Sequence, residues 1–457
     1  MDTILKNITE FTHNLNYADL PASTIDAAKI HMLDALACAF GAYDCQEVQI
    51  AKKLVSYPGS LNTAGRILAD ETNIAAVDAA FINVCMIRHL DFNDAYPGGH
   101  PSDMMGAFFS VAPILNVSGK QLIVAVTIAY EVFIQHMLAR NPNRYGFDQG
   151  SAIGMATAAG LSYLFNLTKE QTAHAISITL VSNMQLRVTR SGQLSMWKGC
   201  ATAHAIRNAL YAVYLAREGM TGPSEPFLGR DGLADHLPRP FSWKGLSKNN
   251  FHSEKVSLKY WPVAYQMQAA AWCGIELAKQ VVVDRIASVS VEANSFAVFE
   301  SGSEKEKWQP CTKETADHSL PYILAWALKH GEVNEKAFDE SSYSDPAMHD
   351  LLKKIDVTLN DELDRKYPAE SHMRATAVDH QGNNYHADVL NPKGHWMNPM
   401  SFAEVGEKFS RLAKNHIDSN RVKLIVDMLS GLENLEGVDS FFGCLCVNNK
   451  NRSVNYV

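Results

Sequence analysis

Helical periodicity dominates roughly the first 270 residues of the chain and most strongly limits its fold. Apolar side chains recur every three or four positions, which places them on one face of an α-helix. Within residues 23–42, this stripe carries Ile30, Leu33, Ala37 and Phe40. Alanine-rich stretches at 152–161 and 200–215 allow helices to pack closely. The pattern predicts that roughly the first 270 residues are all-helical.

The pattern changes after residue 281, where apolar and β-branched residues begin to alternate. Strands are predicted in RIASVSVEANSFAVFE, at 285–300, and in KIDVTLND, at 354–361. A hairpin is predicted at 373–390, where two strand-like segments flank HQGNN. Gly382 and Asn383 of that segment tolerate the positive φ of a tight turn.

Helical segments also lie between and after these strands. SLPYILAWALKHG is predicted to be a helix that ends at Gly331, and FAEVGEKFSRLAKN is predicted to be helical after Ser401. The fold class is therefore predicted to be mostly α with a smaller α+β domain inserted before the C-terminus. Residues 1–270 and 400–457 are assigned to the all-helical domain, and residues 271–399 to the α+β domain.

Composition limits the classes of partner. The chain has 457 residues, of which 47% are hydrophobic and 20% charged, and this balance indicates a globular protein. A net charge of -8, with acids and bases mixed along the chain, argues against nucleic-acid binding. The windows MMGAFFSVAPILNV and LIVAVTIAYEVFI are interpreted as buried helices. They are too short, or too interrupted by Pro113 and Glu131, for a predicted membrane span.

The cysteines and the N-terminal segment bear on the compartment. The eight cysteines include no CxxC pair, and their spacing fits neither a zinc ribbon nor a disulfide framework. MDTILKNITEFTHNLNY lacks the basic start, apolar centre and small-residue cleavage site of a signal peptide. A cytoplasmic location without a membrane partner is therefore predicted.

The segment RHLDFNDAYPGGHPSD, at 88–103, concentrates three acids and two histidines around a Pro-Gly-Gly turn. It is predicted to be a loop between two helices, because Pro101 suits the first turn of the second one. Such a loop is commonly a solvated connection whose Asp and Ser residues cap helices. The density of proton carriers favours a functional site. Asp91, Asp94 and His100 can converge to give the carboxylate-oriented imidazole that acid/base catalysis needs.

Three other segments carry cations or proton-transferring side chains. RVTRSGQLSMWKG includes Arg190 and Lys198, and clustered cations suit an anionic substrate. Lys259, in SLKYWP, precedes an aromatic pair that can lower its pKa or hold it against a carboxylate. TADHSLPY supplies His318 and Tyr322, which can both donate or accept a proton. Taken singly, each of these residues is more often a surface cation or a buried structural group.

Together these segments resemble the MmgE/PrpD family, which includes 2-methylcitrate dehydratase and cis-aconitate decarboxylase. The matching segments, in chain order, are LDFND with GHPSD, LSMWKG, LKYWP, ETADHSLPY and GHWMNPMS. Five separate matches are far more specific than one motif, and the similarity runs from roughly Ala27 to beyond Leu412. The resemblance implies a large helical domain with an inserted α+β lid domain. It further implies a homodimer that acts on a small polycarboxylate without a metal or other cofactor.

The resemblance also implies which residues form the site. Asp91 and His100 resemble the family's catalytic loop, and Tyr322 resembles the tyrosine of its HSxxY segment. The predicted catalytic residues are Asp91, His100, Lys259 and Tyr322. The predicted substrate-binding residues are Asp94, Arg190, Lys198, Gln266 and His318. No metal ligand belongs to this set.

The predicted reaction is dehydration of 2-methylcitrate or citrate to a cis-aconitate-type alkene by a lyase. In this hypothesis His100, oriented by Asp91, handles one proton, and either Tyr322 or Lys259 handles the other. Lys198 and Arg190 bind the substrate carboxylates, where negative charge develops. The sequence leaves open which group is the base and which the acid.

Three departures from the family's pattern keep the exact substrate open: Ala95, the pair Asp148-Gln149, and Gln266. The first alternative is a decarboxylase of a cis-aconitate-type acid, or an isomerase or epimerase of a related polycarboxylic acid. A second is a metal-dependent hydrolase. Its ligands would be His89, Asp91, Asp94 and His100. A third is a non-catalytic binding protein.

Overall fold

The computed structural model describes residues 1–55, 63–192, 194–237 and 240–447. The protein is mostly α with a smaller α+β part, as the sequence predicts. One hydrophobic core draws on residues 4–258 and 400–445. A second core draws on residues 261–387. The predicted division at residue 270 therefore falls inside a segment that packs entirely in the second core.

The first core is built from helices that precede the second domain. They are α1 (Thr3–Asn14), α2 (Ala22–Gly41), α3 (Gln46–Lys52), α4 (Ala76–Arg88), α5 (Met105–Leu115), α6 (Gly119–Ala139), α7 (Gly150–Leu164), α8 (Lys169–Ser182), α9 (Trp197–Arg217) and α10 (Leu233–His236). The region is not wholly helical, because β1 (Ala64–Arg66) and β2 (Asn73–Ala75) form a small antiparallel pair. These strands are three residues each, too short for an alternating pattern to reveal them.

Helix α6 corrects one argument drawn from the sequence. It has 21 residues and is long and apolar enough to cross a membrane by length and composition. The apolar window was predicted to be too short for this, and that argument is wrong. However, 94% of the most apolar window is buried inside the protein. The window is a core helix, as predicted.

The second core combines helices with a four-stranded sheet. Its helices are α11 (Met267–Ala278), α12 (Ser295–Ser301), α13 (Lys305–Trp308), α14 (Lys313–Ala316), α15 (Leu320–His330), α16 (Glu340–Tyr343), α17 (Pro346–Leu352) and α18 (Asp361–Lys366). Its strands are β3 (Ile286–Ala293), β4 (Ile355–Leu359), β5 (His372–Asp379) and β6 (Asn384–Leu390). The strand order is β4-β3-β5-β6, with only β3 and β4 parallel.

The predicted β5–β6 hairpin, the strand at 355–359 and the helix ending before Gly331 are all present. The prediction for 285–300 is half wrong, because the strand stops at Ala293 and the rest is α12. The Asn294 side chain accepts a hydrogen bond from Ala297 N at 2.9 Å and caps that helix. A short helix with apolar residues on two sides resembles a strand in its residue pattern.

The chain then returns to the first core through α19 (Phe402–Ala413), α20 (Ser419–Ser430) and α21 (Asp439–Cys444). Lys408 of α19 is buried and fixes three parts of the molecule at once. Its Nζ donates to Asp34 Oδ1 at 2.6 Å, to the Phe92 carbonyl at 2.7 Å and to the Lys259 carbonyl at 3.1 Å. Helix α19 therefore holds the predicted catalytic loop against the segment that leads into the second domain.

Candidate active site

The loop between α4 and the 3-10 turn Pro101–Met104 lies where the two domains meet. Ala95 N donates to the Ser257 carbonyl at 2.7 Å, and Ser257 N donates back to the Ala95 carbonyl at 2.9 Å. These bonds join the loop to the segment just before the second core. The predicted interhelical loop is therefore confirmed, and both domains contribute to the surroundings of its acids.

Asp91 is buried among three cations. The Arg88 guanidinium donates to Asp91 Oδ1, Lys259 Nζ lies 3.1 Å from Oδ2, and Lys198 Nζ lies 3.8 Å from Oδ1. Burial alone would raise the pKa of this carboxyl, but the charges of Lys198, Lys259 and Arg88 outweigh burial and hold its pKa well below the usual value. Asp91 is consequently a fixed negative charge, which makes it a poor proton acceptor.

The two lysines are held behind Asp91. Lys259 also donates to the Asp91 backbone carbonyl at 2.6 Å, and Lys198 pairs with Asp317 at 3.5 Å. Burial, opposed by Asp91, lowers the pKa of Lys259 to about 8. Burial also lowers the pKa of Lys198, although Asp317 and Asp91 oppose the change. Neither lysine lines the adjacent cavity, so their ammonium groups act on it mainly through Asp91.

His100 presents one ring nitrogen to the cavity. Its Nδ1 lies 2.6 Å from the Asp94 backbone carbonyl, and a carbonyl can only accept, so Nδ1 carries the proton. The unprotonated Nε2 lies 4.0 Å from Asp91 Oδ1. Burial, together with the nearby Arg88 and Lys259 charges, lowers the pKa of His100 well below its usual value. The predicted orientation by the Asp91 carboxylate is wrong, because the Asp94 carbonyl orients the ring.

His318 supplies a second imidazole on the other domain. Its Nδ1 donates to the Asp317 carboxylate, which leaves Nε2 as the lone-pair nitrogen, 3.8 Å from Asp91 Oδ2. Burial and the Lys198 charge lower the pKa of His318 to about 4, although Asp317 opposes the change. Two neutral imidazoles therefore flank one ionised carboxylate.

Asp94 faces away from the cavity. Its carboxylate accepts from Ser102 N at 3.0 Å, from Ser102 Oγ at 2.6 Å and from the Tyr130 hydroxyl at 2.7 Å. Burial raises its pKa, although the Ser102 and Tyr130 hydrogen bonds oppose the change. The structure does not bring Asp94 to the cavity as the predicted substrate ligand, because its carboxylate binds the start of the following helix instead.

Arg190 lines the cavity, but all of its donor nitrogens already have partners. Its Nε and Nη2 reach the two Asp148 oxygens at 3.1 Å each, and its Nη1 donates to the Lys198 carbonyl at 2.8 Å. Gln149 Oε1 accepts from His100 N at 2.7 Å. The unusual Asp148-Gln149 pair thus holds Lys198 and His100 in place.

Of the two remaining predicted residues, Gln266 and Tyr322, only one reaches the cavity. Gln266 lines the cavity, as a substrate-binding residue should. Tyr322 is fully buried in the second core, and its hydroxyl donates to the Ala337 carbonyl. It does not line the cavity. The sequence match at HSxxY therefore leads to a residue that packs the inserted domain.

The cavity has a volume of about 340 Å³ and receives side chains from both domains. Its polar lining includes Arg88, Asp91, His100, Arg190, Gln266 and His318. Its apolar lining includes Tyr96, Leu194, Phe296, Tyr367 and Trp396. A site lined by anionic and cationic groups and by aromatic side chains suits a small polar acid that also carries an apolar part.

The four predicted metal ligands do not converge. His89 points to the other side of the loop, where its Nδ1 lies 3.1 Å from Glu47 Oε2. In the described ranges, the group of three donors that does converge is Cys45, Glu47 and His89. Lys313 Nζ is 3.3 Å from His89 Nε2 and adds a positive charge there. The set predicted for a metal-dependent hydrolase is therefore not assembled.

Several residues of the site were not singled out from the sequence. They are Arg88, Asp317, Lys307, Tyr265 and His395. Arg88 and Asp317 each lie next to a residue or motif that the sequence analysis recognised, and this proximity in the sequence could have identified them as site residues. His395 lies inside the matched segment GHWMNPMS. Tyr265 directly precedes Gln266, whereas Lys307 comes from a segment with no motif of its own.

Comparisons with known proteins agree over both domains. Residues 6–245 match the MmgE/PrpD N-terminal domain, and residues 261–432 match the MmgE/PrpD C-terminal domain. The chain is 27% identical over 399 residues to a probable 2-methylcitrate dehydratase of Saccharomyces cerevisiae, covering 80% of this chain and 75% of that protein. It is 26% identical over 474 residues to an alkylcitrate dehydratase of a fungal species, covering 94% and 91%. It is 27% identical over 372 residues to the 2-methylcitrate dehydratase of Escherichia coli, covering 75% and 74%.

Proposed function

Since this chain belongs to the MmgE/PrpD family, we propose that it is a hydro-lyase that dehydrates a citrate-type hydroxy acid. The observation that carries the proposal is the pair of neutral imidazoles, His100 and His318, on either side of the ionised Asp91. The names of the relatives, 2-methylcitrate dehydratase and alkylcitrate dehydratase, support the substrate class.

His100 is proposed as the base. Its Nε2 lone pair faces the cavity, and Asp91 at 4.0 Å stabilises the imidazolium that forms when a proton leaves the carbon beside a carboxylate. His318 Nε2 orients the substrate hydroxyl by accepting its hydrogen bond before elimination, and the His100 imidazolium then protonates the hydroxyl oxygen as the C–O bond breaks. The proton taken by His100 leaves with the hydroxide as water, so the elimination balances without a further reactant.

The proposal needs no metal ion. The supporting observation is that the protein's own groups supply both a base and a cationic environment, because Lys198, Lys259 and Arg88 surround Asp91. The predicted homodimer and cytoplasmic location remain predictions. Sedimentation of the purified protein and fractionation of cells would test them.

The decisive experiment uses purified protein with 2-methylcitrate, citrate and cis-aconitate, with and without a chelator, following alkene absorbance and carbon dioxide release together. Chelator-resistant alkene formation without carbon dioxide is expected. Release of carbon dioxide from cis-aconitate would show that the protein is a decarboxylase and not a dehydratase. Loss of activity with the chelator would show that the reaction depends on a metal ion.

A matched pair of variants tests the site itself. His100→Ala should slow alkene formation about 10²- to 10⁴-fold, whereas His89→Ala should retain it, because His89 lies in the same loop but faces Glu47. Equal activity of the two variants would exclude His100 as the base.

A further inference from the structure

The cations of the cavity differ in whether the protein itself neutralises them. Arg88 bonds to Asp91, and Arg190 bonds to both oxygens of Asp148. Arg187 Nη2 lies 2.8 Å from Glu300 Oε1. Each of these guanidinium groups has a carboxylate within hydrogen-bond distance and therefore has its charge compensated before any ligand arrives.

Lys307 is the exception among the buried cations that line the described part of the cavity. Its side chain is only 2% exposed, and the carboxylate that pairs with it, Glu304, is 4.0 Å away. Its Nζ donates no hydrogen bond to any residue in the described ranges, although a lysine ammonium has three protons to donate. Keeping an ammonium on a nearly buried side chain without a protein acceptor is costly.

Two of the other carboxylates near Lys307 are paired elsewhere, and a third, Glu306, is exposed. Asp317 pairs with Lys198, and Glu300 pairs with Arg187. Both act on Lys307 only through space, and burial still lowers its pKa against the pull of Glu304 and Asp317. The free protein therefore leaves the Lys307 charge without adequate compensation.

The backbone around Lys307 is nevertheless fixed. Its carbonyl accepts a hydrogen bond from Ser319 Oγ, and the same hydroxyl accepts from Tyr322 N at 3.1 Å at the start of α15. Ser319 directly follows His318, so Lys307 is anchored beside the second imidazole. A held backbone with an uncompensated charge is the arrangement expected of a binding group, since little ordering is needed when the ligand arrives.

We propose that the Lys307 ammonium binds a carboxylate group of the substrate, which makes it a substrate-binding residue of this site. The proposal rests on the function proposed above and names the residue that recognises one of the acid groups. An anionic ligand supplies the counter-charge that the described side chains do not. Charge-assisted hydrogen bonds of this kind are stronger than those between neutral groups.

The test measures binding of propane-1,2,3-tricarboxylate, which has three carboxylates but no hydroxyl to eliminate, by isothermal calorimetry. Lys307→Met should weaken binding about 10- to 100-fold. Lys307→Arg should recover part of the affinity. Lys305→Met is the matched control, because Lys305 lies exposed on the same short helix, and it should bind as the unmodified protein does.

Thermal unfolding without ligand separates binding from a structural role. Removing an uncompensated buried charge should leave the melting temperature of Lys307→Met unchanged or raised. The increase in melting temperature that the tricarboxylate produces should shrink. A lowered melting temperature with unchanged affinity would make Lys307 structural and overturn the proposal.

Kinetics distinguish this proposal from the proposed function. In Lys307→Met the KM for 2-methylcitrate should rise about 10- to 100-fold with kcat changed little, because a binding group acts on substrate and transition state alike. If the unmodified protein dehydrates the acid and the variant keeps its KM, only the Lys307 proposal fails. If the unmodified protein binds the tricarboxylate through Lys307 but eliminates no water, only the dehydratase proposal fails. No binding by the unmodified protein would overturn the role of Lys307.

Discussion

The two sides of the catalytic loop each bury an aspartate, but they shift the pKa of its carboxyl in opposite directions. Asp91 and Asp94 are three positions apart and both buried, yet the pKa of Asp91 is lowered and that of Asp94 is raised. Burial raises both pKa values, but only Asp91 has three cations close enough to reverse the effect. Asp94 has mainly hydroxyl and amide donors.

The difference shows how one loop can provide both a charge and a support. The Asp91 side faces the inserted domain and keeps a permanent negative charge beside the cavity. The Asp94 side faces the helical core and fixes Ser102 and the backbone carbonyl that orients His100. His100 lies between the two sides and depends on both.

The largest effect is expected at His100. His100→Ala should lower kcat about 10²- to 10⁴-fold, because it removes the proposed base. Added imidazole should restore part of the rate by entering the space left by the ring. Steady-state kinetics with 2-methylcitrate check this. Circular dichroism should show the same helix content as the unmodified protein. A kcat within threefold of normal would remove His100 from the mechanism.

Exchanging each aspartate for asparagine tests the comparison directly. Asp91→Asn leaves three buried cations without their shared counter-ion and should cost about 3–5 kcal/mol of unfolding free energy. It should also lower kcat/KM at least about 100-fold.

Asp94→Asn is the matched control, because its amide oxygen can still accept from Ser102. It should cost only about 1 kcal/mol. Urea unfolding measures both variants. Equal losses of stability would show that the cations around Asp91 do not set the two sides apart.

Acid should destabilise the protein through His318. Its folded pKa is about 4, below the usual histidine pKa of 6.5, so between these values the unfolded chain takes up a proton that the folded one does not. Stability is therefore retained above pH 6.5 and lost as pH falls toward 4, by up to roughly 3 kcal/mol.

Urea unfolding of the unmodified protein and His318→Gln between pH 5 and 7 checks this contribution. The variant should show a shallower dependence on pH. His31, which lies 3.5 Å from Asp94, also has a pKa lowered to about 4, mainly by burial. His31→Gln should flatten the stability curve similarly but leave the pH profile of kcat unchanged, because His31 does not line the cavity. Unchanged slopes in both variants would contradict the lowered pKa values.

The smallest effect is expected at Gln149. Gln149→Ala removes the acceptor for His100 N, which is worth about 1 kcal/mol. A modest fall in kcat, about fivefold, is expected because the ring stays bonded to the Asp94 carbonyl. Gln149→Glu keeps an acceptor there and should retain most of the rate, whereas a normal rate in the alanine variant would show that this bond is dispensable.

The sequence predicted most of the fold because the relevant signals are local. Helix periodicity and the Gly382 turn each act over a few residues. The sequence did not predict three short elements, namely the strands at 64–66 and 73–75 and the helix at 295–301. A segment of three to seven residues contains too little periodicity to distinguish a helix from a strand.

The site could be predicted only in part, because its geometry comes from residues far apart in the chain. Motifs identified His100, His318 and both lysines, but not which side chains face the cavity. Tyr322 matches the family motif but does not reach the cavity, because it is buried in the second core, where its hydroxyl donates to the Ala337 carbonyl. Lys307 has no motif, and its importance rests on the lack of a close acceptor among the described residues, which only the packed structure reveals.

Asp91 has a φ of +47°, in the left-handed region that side chains other than glycine rarely adopt. Glycine would fit this backbone without strain, and asparagine tolerates it better than most residues. The substitutions that this backbone conformation accepts most easily are therefore ones that remove the charge. Backbone strain and charge pairing therefore act in opposite directions at this position: the substitutions that relieve the strain leave three buried cations without their counter-ion.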